Sequence, residues 1–117
     1  MRVALAAVLV AALAAGCDDN AQKYSRSDVE RAFRSQGLEL LAPTGEDNLL
    51  APKNTDEQFG VVIYPTEKNA SNALRTLRSQ ATSETFDVRT GNVVVTSDEG
   101  VTAPMRKRIW GALAELG

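Results

Sequence analysis

Phe59-Gly60-Val61-Val62-Ile63-Tyr64, closed by Pro65, and Val93-Val94-Val95-Thr96 are the two continuous apolar runs of this chain after its N-terminal segment. Each is too short for a buried helix and rich in β-branched residues, so each reads as a strand covered on both faces. The elements around them follow. Thr66 caps a helix in which Ala70, Ala73, Leu74 and Leu77 share one side, running to about Gln80. Phe86 to Arg89 alternates apolar and polar, and Gly91-Asn92 is a hairpin turn leading into the second run. A last helix starts near Thr102, tolerates Pro104 in its first turn and aligns Val101, Met105, Ile109, Ala112, Leu113 and Leu116.

Upstream, Ser27-Asp28-Val29-Glu30 has the spacing of a capping box. It predicts a helix over 27–36 whose face is Val29, Ala32, Phe33 and Gln36, ended by Gly37, then a short strand at Leu38 to Leu41. Residues 43–58 carry two prolines, a glycine, two asparagines and several acids, and read as a long loop. Within it Leu49-Leu50-Ala51-Pro52 echoes Leu40-Leu41-Ala42-Pro43. That echo is taken as coincidence, or at most as an extra edge strand ended by Pro52.

The expected fold class is therefore α+β, in the order α-ββα-ββα. Four mainly antiparallel strands form the sheet, with 59–64 and 93–96 at its centre and 38–41 and 86–89 at its edges. The middle and last helices are expected on one face and helix 27–36 on the other. This arrangement resembles a ferredoxin-like plait, circularly permuted so that its last strand comes first.

The N-terminus reads as an address. Fourteen of the first sixteen residues are apolar, only Arg2 is charged, and Val3 to Ala15 is too short to span a bilayer as a helix. The run ends in Ala14-Ala15-Gly16-Cys17, followed by Asp18-Asp19. This resembles the lipobox of bacterial lipoproteins, with Ala14 where that family most often has Leu. The resemblance implies cleavage after Gly16, lipidation of the Cys17 thiol with acyl chains such as palmitate, and acylation of the new amino group. Residues 1–16 are then a lipoprotein signal peptide, 17–26 a lipidated cysteine with a polar tether, and 27–117 a single small α+β domain. Asp18 to Arg26 reaches at most about 30 Å when extended, so the domain is expected to work close to the cell membrane on its extracytoplasmic side.

Composition narrows the chemistry. The chain has 117 residues, 13 basic and 15 acidic, no histidine and one cysteine. The slight acidic excess disfavours nucleic acid as a partner. A lone cysteine forms no internal disulfide, and the lack of histidine removes the commonest general base and transition-metal ligand. No metal and no cofactor are expected. The acid pairs Glu46-Asp47, Asp56-Glu57 and Asp98-Glu99 read as solvated turns. Arg75, Arg78 and Arg106-Lys107-Arg108 read as solvated helix exteriors.

The expected function is a lipid-anchored binding or adaptor module of the cell envelope, not an enzyme. Its membrane contact is the lipid on Cys17, its partner an envelope protein, and its candidate partner surface Val62, Tyr64, Val94 and Trp110. Two alternatives stand beside it: a small-ligand sensor, and an enzyme or enzyme subunit using Glu46, Asp47, Asp56 or Glu57 as carboxylates.

Overall fold

The first helix is capped by Ser25, two residues before the serine that the sequence pattern selects. In the computed structural model, which describes residues 23–46 and 48–117, the Ser25 side chain accepts from the Asp28 amide while the Asp28 carboxylate accepts from the Ser25 amide. Those bonds, the Ser25 amide foremost, hold the Asp28 carboxyl below its ordinary pKa. Glu30, the expected capping acid, instead pairs with Arg26 at 3.1 Å. Helix α1 is Arg26–Arg34 and buries Val29, Ala32 and Phe33. It ends as expected: Gly37 takes a φ of 77°, the Gly37 amide bonds the Arg34 carbonyl and the Leu38 amide bonds Phe33.

Five strands follow, not four: β1 Leu40–Leu41, β2 Leu49–Pro52, β3 Gly60–Ile63, β4 Phe86–Thr90 and β5 Val93–Ser97, with helix α2 (Glu67–Ser79) between β3 and β4 and α3 (Ala103–Leu116) last. The sheet order is β1-β2-β3-β5-β4, every pair antiparallel. This corrects the four-stranded permuted plait. The Leu49-Leu50-Ala51-Pro52 echo is a genuine strand inserted between β1 and β3. Its first half, Leu49 and Leu50, pairs with Val62 and Val61 of β3, and its second half, Ala51 and Pro52, pairs with Leu41 and Leu40 of β1. Pro52 thus stands where β2 has lost its β3 neighbour, an edge-like position where a missing N–H is tolerated.

The helices are also distributed differently from the expectation. Register places Leu50, Val61, Val95 and Val88 in one row on one face, and Leu49, Val62, Val94 and Arg89 in the next row on the other. The first row belongs to the main core, together with Val29, Phe33, Met105, Ile109 and Leu113 of α1 and α3, which pack against each other. The second face receives α2 alone. It lies over β4 and β5 and buries Ala70 and Val94 outside that main core. The Glu67 carboxylate of α2 sits 3.8 Å from Arg89, on the same side. α1 is too short to cover a five-stranded sheet, so it completes a layer with α3 instead.

Tyr24, just ahead of α1, is clamped onto this frame. Asn92, fully buried at the β4–β5 turn, accepts from the Tyr24 amide and donates to the carbonyls of Tyr24 and Tyr64. Gly91 beside it has a φ of 55°, and a Cβ there would meet the Tyr24 ring, so both its conformation and its neighbour favour glycine. Cys17, the cleavage position after Gly16, and Asp47 lie outside the described residues. No helix among the described residues is long and apolar enough to cross a membrane.

Candidate docking face

Because α2 covers only β4 and β5, no described helix covers the other half of its sheet face. The pleat puts Leu49, Ala51, Val62 and Leu41 there, Leu41 being 37% exposed, with Gly60 between Ala51 and Thr96. Gly60 contributes no side chain, and a Cβ there would come into ordinary contact with the Leu49 and Thr96 side chains, so its absence leaves a shallow trough between them. Alternation explains how Leu50, fully buried, and Leu49, half-buried, come to face opposite layers from adjacent positions.

At the foot of this strip, where β3 begins and β5 ends, a groove of about 710 Å3 is lined by Ala51, Pro52, Asp56, Gly60, Thr96 and Asp98, among others. Glu57 and Glu99 border it as well as a neighbouring groove that reaches Glu84 and Arg106. The strip is therefore apolar along its length and acidic at one end. The Thr96 hydroxyl bonds the Asp87 carboxylate across β4 and β5, fixing one acid at the trough's border.

Glu57 already has a structural task. Its two carboxylate oxygens accept from the Thr102 amide and the Thr102 hydroxyl, both at 2.7 Å, and Thr102 in turn caps α3 by accepting from Met105. A negative charge at a helix N-terminus is favourable, and this one ties the loop before β3 to α3. Glu57→Gln is expected to cost about 1 kcal/mol in thermal or chemical denaturation, since the amide nitrogen cannot accept the second bond and the charge is lost.

The sequence-derived surface residues do not form one patch. Val62 lies on the open strip. Val94, its cross-strand partner, is 0% exposed beneath α2 and is corrected from surface to interior. Tyr64 is half-buried at the end of β3, where burial pushes its phenol pKa up, and its amide bonds the Asn92 carbonyl. Trp110 is 49% exposed but sits on α3, on the far side of the sheet from Val62. Leu49 and Ala51 lie in the stretch whose composition marks it as loop, which hides them from the sequence, whereas Leu41 ends the first expected strand. Their signal was the alternation of Leu49 and Ala51 about Leu50. Of the acids in the carboxylate alternative, Glu46 is exposed, Asp56 and Glu57 share the groove, and Asp47 is outside the described residues. No group of three or more potential metal-ligating His, Cys, Asp or Glu side chains occurs among the described residues.

The chain matches no protein-family model, no curated protein and no solved structure.

Proposed function

We propose that this chain is a lipid-anchored, extracytoplasmic binding module whose open half-sheet receives an envelope protein. The observation that carries the reading is the strip formed by exposed Leu41 and partly exposed Leu49, Ala51 and Val62 beside α2, an apolar surface that no described helix covers. Asp56, Asp98 and Glu99 at its foot favour a partner segment that presents apolar residues flanked by Lys or Arg. Anchoring through Cys17 raises the effective concentration of the module for any membrane-bound partner.

Two experiments test this. Cys17→Ser is expected to move the protein out of the membrane fraction, or leave it unprocessed, without changing the melting of the domain; a processed variant that stays with the membrane refutes the anchor. A photocrosslinking residue at Leu49 in the producing cells is expected to give one discrete adduct, weakened by Asp98→Lys with Glu99→Lys and absent when the same probe replaces Lys68 on α2. Equal adducts from both positions, or none from Leu49, refute the docking face. The groove at its foot supports small-ligand sensing as the second reading, since its size falls in the range of small-molecule sites. Thermal stabilisation of the protein by a single envelope metabolite, with no adduct from Leu49, would select it.

A further inference from the structure

We infer that the α1–α3 layer lies against an anionic lipid bilayer, with Trp110 seated at the headgroups. The inference rests on the anchored reading and extends it to the orientation of the domain. On α3, Trp110 stands four residues after Arg106 and three after Lys107, so the three share one outward face of the helix. Arg106, Lys107 and Trp110 are all exposed. None of Arg106, Lys107 and Arg108 makes an ion pair among the described residues. Arg106 instead lies over the Phe86 ring, 5.7 Å from its centroid. An amphipathic aromatic beside Lys107, a cation without an ion pair among the described residues, suits the lipid–water interface, where the ring sits at headgroup level and the long cationic side chain reaches the phosphates.

Charge distribution agrees. α1 and α3 together carry six basic and three acidic residues, although the whole chain is net negative. Outside the helices, residues 35–66 and 80–102 carry two basic and nine acidic residues. An anionic surface therefore attracts the helical layer and repels the loops of the acidic end. α2, on the opposite face, is also cationic through Lys68, Arg75 and Arg78, but it exposes no large apolar side chain. Trp110 decides between the two helical sides, and the length of the lead permits that choice. Tyr24 leads directly into α1, and Cys17 lies six residues before Lys23, a reach of about 20 Å, comparable to the length of α3. With the α1–α3 layer on the bilayer, the open half-sheet faces away from it, toward a partner.

Trp110 is the one tryptophan of the chain, so intrinsic fluorescence reports this face alone. The protein, purified from membranes as the cell makes it, is reconstituted on vesicles of phosphatidylcholine with and without phosphatidylglycerol. Trp110 emission is expected to shift to shorter wavelength, and to be quenched by brominated lipid, only where phosphatidylglycerol is present. High salt and Lys107→Glu should each abolish the shift, whereas Arg75→Glu on α2 should leave it intact. Protein retained on both vesicle types with identical Trp110 emission overturns the inference and leaves the anchor standing. Protein lost from both overturns the anchor, and this inference with it.

Discussion

Leu50→Ala is expected to destabilise the protein by about 3 kcal/mol and lower its melting temperature by roughly 15 °C. Leu50 is 0% exposed, pairs with Val61 across β2 and β3, and belongs to the same core as Val95, Val88 and Phe33. Truncating it removes buried apolar volume from a layer closed by α1 and α3, where neighbouring helices limit collapse into the gap. Leu49→Ala, one residue away, is expected to cost less than about 1 kcal/mol, because that side chain lies on the open strip. The contrast between adjacent leucines is the test. A strand in this register gives a large and a small effect, whereas a surface loop gives two small and similar ones. Paired melts of the two variants decide it, and equal effects would remove β2 from the sheet.

Why β2 was illegible follows from what surrounds it. Two prolines, a glycine and the acids Glu46, Asp47, Asp56 and Glu57 crowd the stretch, and composition of that kind normally marks loop. Only the partnership divided between β1 and β3 makes Pro52 tolerable, and partnership is a tertiary fact. The helix caps at Thr66 and Thr102, the β4–β5 hairpin and the pairing of Val61–Ile63 with Val93–Val95 were legible because local chemistry and apolar runs encode them. Ser25 and Ser27 offer overlapping capping frames of similar quality. The choice falls to Ser25 through a contact 68 residues distant in sequence, the Asn92 clamp on Tyr24. Neither α2 nor α3 carries a local signal for which sheet face it joins. The apolar stripe of each fixes only that it packs, so the open half-sheet was visible in the sequence as doubly apolar strands but not as a location.

The second large effect is expected at that clamp. Asn92→Leu keeps the branch at Cγ but is bulkier, and it removes one accepted and two donated bonds, leaving the Tyr24 amide and the carbonyls of Tyr24 and Tyr64 without their partner. The expected cost is about 3 kcal/mol, with the Tyr24 amide losing its protection from hydrogen exchange before the amides of α1. Asn92→Asp separates the two halves of the contact. Its carboxylate still accepts from Tyr24 but faces two carbonyl oxygens, so burial and those dipoles raise its pKa in the folded state above that in the unfolded chain. Only the protonated form donates a bond. The variant is therefore expected to be relatively most stable below about pH 4 and to lose that stability as the pH rises toward neutrality, the reverse of the slope contributed by Asp28, whose lowered pKa means its cap weakens only in acid. Melting curves of Asn92→Asp and the unaltered protein across that range check the sign, and a pH-independent difference would remove Asn92 from the role of donor. With the proposed Cys17 anchor, the same substitutions are expected to lengthen the lead into the domain by two residues, about 7 Å of chain, because Tyr24 no longer marks where the fold begins. Trp110 emission on phosphatidylglycerol vesicles should then persist in position but broaden, since the helical layer keeps its charges and loses the short lead that holds it against the bilayer.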